Sequence, residues 1–219
     1  VPAPERIEPP MWWTGMHHQE LQLMIYGAGI AQCDIVIGNT GIELLYLGKT
    51  DNPNYLFIRL DISKADPGSF PIYFLNNGVP VYQAEYTLLS RSRQLSDNFY
   101  VDASDAVYLV MPDRFANGDA SNDDMPGMLE KADRTNPDGR HGGDIAGIIN
   151  NLDYVAGLGF TALWINPLLE NNQPVYSYHG YAITDFYRID PRFGSNEDYR
   201  NLVERANAKG IKVIKDMVL

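Results

Sequence analysis

Apolar and polar positions alternate in short runs along the first part of the chain and then change period. Up to about Asp102, "LQLMIYG" (21–27), "CDIVIGN" (33–39), "IELLYLG" (42–48), "NYLFIRLDI" (54–62), "FPIYFLN" (70–76) and "YQAEYTLLS" (82–90) read as strands. Turn residues in "GNTG", "DNPN" and "NNGVP" separate them. No stretch there keeps helical spacing for three turns, so the pattern predicts a small β-sandwich over residues 1–102.

From residue 103 onward the period is different. "AVYLVM" (106–111) reads as a short buried strand. After a polar loop, Ile145, Ile148, Ile149, Leu152 and Val155 fall at helical spacing behind Asp144, a side chain suited to an N-cap. "FTALWINP" (160–167) is a second strand. Ser195 opens a second helix, with Asp198 three residues on as in a capping box and Tyr199, Leu202, Val203 and Ala206 on one face. Gly210 ends it, and "IKVIKDMV" is a third strand that delivers Asp216 to its carboxyl end. Strand, helix, strand, helix, strand predicts a parallel sheet.

Two parallel architectures fit: a doubly wound sheet, or the opening of a (β/α)₈ barrel. Function collects at the carboxyl ends of the strands in both. A nucleotide-binding sheet needs a glycine-rich phosphate turn directly after its first strand, whereas this strand runs into "PDRFANGDASNDD". The glycines that do open a helix, Gly142 and Gly143, are followed by Asp144, whose carboxylate occupies the place a phosphate would take. The loops after the first two strands exceed the usual two to six residues, which marks them as functional.

Composition narrows the partners. A net charge of −11 over 219 residues disfavours nucleic acid and anionic membranes, and no apolar run is long and unbroken enough to span a bilayer. The single cysteine, Cys33, excludes a disulfide within the chain. The start "VPAPERIEPP", without methionine, fits a mature end left after signal removal or an engineered start, so export, with a periplasmic location, is the expectation.

The loop "NGDASNDD" packs side-chain oxygens densely enough for a hard cation such as calcium, with a solvated acidic loop as the plainer alternative. An EF-hand fits poorly, because Asp124 stands where that loop requires glycine. Asp144 and the Gly142 carbonyl are the natural remote ligands. The loop "YSYHGYAITDFYRIDPRFG" concentrates Tyr176, Tyr178, Tyr181, Phe186 and Tyr187 around His179. Aromatic faces suit the C–H faces of sugar rings, although Tyr176, Phe186 and Tyr187 are expected to pack the loop down. Asp216 points toward the mouth of such a sheet.

These stretches, in this order, resemble the α-amylase family of glycoside hydrolases, in its cyclomaltodextrinase, neopullulanase and maltogenic amylase branch. "PPMWWTGM" (9–16) is similar to the start of that branch's N-terminal immunoglobulin-like domain. "MPDRFANGDASNDD" is similar to its first barrel strand and calcium loop, "HGGDIAGIINNLDYVAGLGFTALWINP" to the next helix and strand, and "YHGYAITDFYRIDPRFG" to its sugar-binding loop. "DMVL" resembles the opening of a conserved region that continues with an Asn-His pair.

The resemblance implies a multidomain chain: an immunoglobulin-like β-sandwich (1–102), then the first part of a TIM barrel (103–219) that stops at the third strand. It implies calcium held by Asn117, Asp119, Asn122, Asp123, the Gly142 carbonyl and Asp144. It implies that Tyr181 stacks under the sugar, that His179 lies nearby and that Asp216 supports the site. Ala182 departs from the aspartate that many members carry after the stacking tyrosine, which bears on fine specificity.

The implied activity is retaining hydrolysis of α-1,4-glucosidic bonds in cyclomaltodextrins, pullulan or malto-oligosaccharides. The catalytic carboxylates are expected on later strands, so no catalytic residue is assigned in this segment and the segment alone is expected to be inactive. A barrel needs about 250 residues, and fewer than half of that follow Asp105. Asp113, Asp185 and Asp190 are available acids that the resemblance does not promote. Competing functions are a noncatalytic glucan-binding module on Trp12 and Trp13, which as strand neighbours face opposite sides, and an oligomerisation domain forming a homodimer.

Overall fold

The computed structural model describes residues 2–38, 41–91 and 100–219. The chain divides into two compact units, Val1–Gln94 and Leu95–Leu219. The turn expected at "GNTG" includes Asn39 and Thr40, which lie outside the described residues.

The first unit contains β1 (Arg6–Glu8), β2 (Trp12–Trp13), β3 (Glu20–Tyr26), β4 (Asp34–Ile37), β5 (Glu43–Lys49), β6 (Tyr55–Asp61), β7 (Gly68–Asn76) and β8 (Val79–Leu89). They form two four-stranded sheets, ordered β1-β3-β6-β5 and β2-β8-β7-β4. Alternation decides the faces: Leu21, Leu23 and Ile25 of β3, Leu56, Ile58 and Leu60 of β6, and Phe70, Ile72 and Phe74 of β7 all enter one core. Intervening residues such as Glu20 and Gln22 stay exposed. The six strands read from the sequence are present; β1 was not anticipated, and β2 was implied only by reading Trp12 and Trp13 as strand neighbours. At three and two residues they are too short for a period to show, and β2 exists only by pairing with β8. Trp12 packs against the core and Trp13 faces outward, as strand alternation requires.

The second unit contains β9 (Val107–Val110), α1 (Pro112–Phe115), α2 (Ile145–Asn150), α3 (Leu152–Gly157), β10 (Ala162–Ile165), β11 (Leu169–Glu170), β12 (Asp185–Ile189), α4 (Asn196–Ala208) and β13 (Lys212–Lys215). Strands β9, β10 and β13 form a parallel sheet with β10 central. One face, including Val110, Leu163 and Ile165, packs with Ile145, Ile148, Leu152, Val155, Leu202 and Ala206 of the helices. The opposite face carries Leu109, Trp164 and Ile214 in register, with Leu109 62% and Trp164 44% exposed.

Both helix starts follow the sequence. The Asp144 carboxylate accepts the Gly147 N–H, and Ser195 and Asp198 complete a reciprocal capping box. The first helix, read as one, is divided at Asn151. The Asn151 side-chain amide donates to the Gly147 carbonyl at 2.8 Å, the oxygen that its backbone N–H would otherwise take, and that N–H turns to Ile148 instead.

Below the sheet, at the amino ends of its strands, Lys212 Nζ donates to Asp105 at 2.7 Å, and the Thr161 hydroxyl donates to the same carboxylate at 2.8 Å. These bonds hold the Asp105 pKa down at about 2, with the Lys212 bond as the largest cause. Asp105 therefore adds stability that is present above its unfolded pKa of about 3.9 and is lost as pH falls through about 2. Replacing Lys212 with methionine is expected to return the Asp105 carboxyl toward its ordinary titration, read from its side-chain carbon resonance between pH 1.5 and 6. Leu163→Ala, at the buried centre of β10, is expected to cost about 2–5 kcal/mol in urea unfolding.

Candidate functional site

At the carboxyl ends of the parallel strands three sequence-expected residues meet. Asp216 directly follows β13, and its backbone N–H continues the ladder to the Ile165 carbonyl at 3.1 Å. The Tyr181 hydroxyl donates to Asp216 Oδ2 at 2.7 Å. His179 lies beside them, with Nδ1 accepting the Tyr181 N–H at 3.2 Å and ring centroids 5.8 Å apart. The bond to Asp216 raises the Tyr181 pKa, because ionising the phenol would set two anions against each other. The ring remains 43% exposed, anchored at its hydroxyl with surface left for a ligand.

The local backbone explains the posture. Gly180, between His179 and Tyr181, has φ +84° and lies so close to Pro167 that a Cβ would stand 2.1 Å from its carbonyl oxygen. Only glycine tolerates both the left-handed conformation and the close approach. Tyr178 carries the Arg114 guanidinium over its ring at 4.1 Å. Tyr176, Phe186 and Tyr187, expected to pack the loop down, are instead 52%, 43% and 44% exposed. Among the described residues β12 pairs only with the two-residue β11, a narrow ribbon that leaves these rings at the surface.

Beneath this loop is a buried charged cluster that sequence reading did not find. Arg192, fully buried, donates from Nε and Nη2 to both oxygens of Asp190 at 2.9 and 2.7 Å, from Nη1 to the Glu130 carbonyl and from Nη2 to the Asn171 carbonyl. Burial pushes the Asp190 pKa up, but Arg192 and Arg140 outweigh it and hold it below the ordinary carboxylate range. Arg140, also fully buried, lies over Phe193 and donates to the Ser177 hydroxyl at 3.2 Å. The Glu130 carboxylate accepts the N–H groups of Tyr176 and Ser177, which fixes the turn leading to His179. The available signal was the pair of arginines flanking the two loop motifs, in "GRHGG" and "DPRFG".

The oxygen-rich loop is partly convergent. Asn117 Nδ2 lies 2.6 Å from Asp123 Oδ1, and a Cβ on Gly142 would stand 2.3 Å from that same oxygen, so the Gly142 backbone completes a tight cradle. Asn122 Oδ1 is buried without a hydrogen-bond partner. These features fit a hard cation held by Asn117, Asn122, Asp123 and the Gly142 carbonyl. Of the other two expected ligands, Asp119 accepts the Ser121 N–H and hydroxyl through Oδ1, and the buried Asp144 carboxylate, which also accepts N–H groups of Gly118, Asp119, Gly147 and the Asn122 side chain, is fixed beside the loop. Among the described residues no three His, Cys, Asp or Glu side chains cluster as a metal site.

Comparison with known protein families identifies the class. The "Alpha amylase, catalytic domain" family model matches residues 109–219 and the "Cyclomaltodextrinase, N-terminal" model matches residues 6–92. The chain belongs to the α-amylase family, in its cyclomaltodextrinase, neopullulanase and maltogenic amylase branch. Neopullulanase 2 of Thermoactinomyces vulgaris is 35% identical over 80% of this chain and 29% of its own length. Cyclomaltodextrinase of Thermoanaerobacter pseudethanolicus is 40% identical over 51% of this chain and 19% of its own. The periplasmic alpha-amylase of Escherichia coli is 39% identical over 52% of this chain and 18% of its own. The chain thus spans less than a third of each of these relatives.

Asp144→Ala removes a helix cap and strands the Gly118 and Asp119 N–H donors. It is expected to cost more than the roughly 0.5–2 kcal/mol of an ordinary cap, measured by urea unfolding.

Proposed function

We propose that these residues are part of an enzyme that hydrolyses α-1,4-glucosidic bonds in cyclomaltodextrins, pullulan or malto-oligosaccharides with retention. The observation that carries this reading is the 2.7 Å bond from the Tyr181 hydroxyl to Asp216 at the carboxyl ends of the strands. It fixes an open aromatic ring where a glucose unit can stack, with the His179 imidazole and the Asp216 carboxylate available to sugar hydroxyls.

Retention requires one carboxylate to attack the anomeric carbon and a second carboxyl group, about 5–5.5 Å away, to protonate the leaving oxygen. Asp113, Asp185 and Asp190 are not assigned these roles, because each is held structurally. Asp113 accepts the His141 and Gly142 N–H groups, Asp185 accepts the Tyr187 N–H, and Asp190 is paired with Arg192. The part these residues play is to bind and orient the sugar, and the 219 residues alone are expected to show no hydrolysis.

The parallel sheet reads as the opening of a (β/α)₈ barrel, a reading supported by the apolar row Leu109, Trp164 and Ile214 on the face that a barrel would enclose. The sandwich reads as the branch's immunoglobulin-like domain, with a homodimer as its proposed assembly. Calcium held by Asn117, Asp119, Asn122, Asp123, the Gly142 carbonyl and Asp144 would cross-link the loop before α2. The name of the Escherichia coli relative supports a periplasmic location. No helix among the described residues is long and apolar enough to cross a membrane.

In the complete enzyme, the first product released from γ-cyclomaltodextrin is expected to be the α-anomer by proton NMR; a β-anomer would remove the retaining mechanism. Tyr181→Ala is expected to lower kcat/KM at least roughly tenfold, about 1.4 kcal/mol of transition-state binding. Calcium at a hundredfold excess over its Kd is expected to stabilise the fold by about 2.7 kcal/mol. Identical melting midpoints in calcium and in chelator would take the metal out of this reading.

A further inference from the structure

The dipeptide Asn-Gly occurs twice in the chain, at Asn77 and Gly78 and at Asn117 and Gly118. Such a pair is prone to ring closure between the asparagine side chain and the backbone, because glycine has no Cβ to shield its nitrogen or restrict its rotation. Both asparagines are exposed, so access to water does not separate them. Their hydrogen bonds do.

Asn77 and Gly78 are the whole loop between β7 and β8, whose last pair is Asn76 with Val79. Asn77 has φ +50° and Gly78 φ +78°, the two left-handed residues of a type I′ hairpin turn. Among the described residues neither the Asn77 amide nor the Gly78 N–H has a hydrogen-bond partner. A Cβ on Gly78 would meet nothing within 4 Å, so this peptide has room to rotate.

Asn117 and Gly118 have the same sequence and the opposite surroundings. The Gly118 N–H donates to Asp144 Oδ1 at 2.9 Å, and Asn117 Nδ2 donates to Asp123 Oδ1 at 2.6 Å. A Cβ on Gly118 would stand 2.3 Å from the Gly147 nitrogen, so the first turn of α2 presses on this peptide and holds it still. Taking the proton from the Gly118 nitrogen would also set a second negative charge against the Asp144 carboxylate.

We propose that Asn77 is a site of spontaneous deamidation, and that Asn117, one of the expected cation ligands, is protected from it by Asp144 and Asp123. In the first step base removes the Gly78 N–H proton and the nitrogen attacks Asn77 Cγ. The bond from Cγ to Nδ2 breaks, ammonia leaves with the proton, and a cyclic succinimide remains. In the second step water adds to either ring carbonyl and reopens the ring, to aspartate or to isoaspartate. Water is the one co-reactant, and nothing is oxidised or reduced. Either product adds a carboxylate to a chain already at −11. Isoaspartate also puts an extra methylene into the backbone of a two-residue turn, whose length sets the register of β7 against β8.

The test is incubation of the folded protein in mildly alkaline buffer made with ¹⁸O-labelled water, with a parallel sample in urea, followed by peptide mass mapping with fragmentation to place the change. In the folded protein Asn77 is expected to lose nitrogen and take up the labelled oxygen at least roughly tenfold faster than Asn117. In urea the two are expected to convert at similar rates, which assigns the difference to the fold. Isoaspartate is expected beside aspartate at position 77, read with an isoaspartyl methyltransferase assay. Any result in which folded Asn77 does not outpace folded Asn117 overturns the proposal. Aspartate without isoaspartate overturns the cyclic route in favour of direct hydrolysis. A difference that persists unchanged in urea overturns the protection assigned to Asp144 and Asp123.

Discussion

The geometry of the second unit depends on a guanidinium with no access to water. Arg192 holds Asp190 through two bonds and takes carbonyls from Glu130 and Asn171, so one side chain joins the loop after β9 to the segment between β10 and α4. Burying such an ion costs several kcal/mol, and the return comes only if its donors are well matched. The Asp190 carboxylate and the two carbonyls supply that match. Arg140, equally buried, extends the cluster to Ser177 and approaches Asp113 at 3.9 Å. Buried ion pairs of this kind are weak evidence for stability. Here the evident role is placement, because the bonded atoms belong to two long loops with little regular structure of their own.

That placement is transmitted to His179 and Tyr181 by short steps. Glu130 receives two backbone N–H groups at Tyr176 and Ser177, and His179 and Tyr181 follow within five residues. The oxygen-rich cradle sits on the same loop as Glu130, while Asp144 organises its start by accepting donors from Gly118 and Asp119. A loop that would be mobile from its length alone is thus held at its start by the buried Asp144 carboxylate and near its middle by the half-buried Glu130.

Much of this was legible in the sequence, and unevenly so. Strands with clear alternation, such as β3 and β6, and helix starts with capping side chains, at Asp144 and Ser195, were evident because their causes are local. Strands β1 and β2, and the β11–β12 ribbon, depend on partners far along the chain and leave no period. The division of the helix at Asn151 was hidden because one asparagine looks the same whether its amide faces water or the Gly147 carbonyl. At the candidate site, Tyr181, His179 and Asp216 were found by residue type and position, but the arginines beneath them were not. A buried arginine looks like a surface one until its counter-charges are located in space.

The bond between Tyr181 and Asp216 also carries a consequence for how the protein is made. Its two ends are 35 residues apart, with β12 and α4 between them. The tyrosine leaves the ribosome well before the aspartate and has no anchor for its hydroxyl until β13 has joined β10. Closing this non-local contact waits on sheet assembly, as long-range parallel pairing does in general. The Tyr181–Asp216 pair is therefore among the last features of this region to take its final form, and its arrival reports that the third strand has docked.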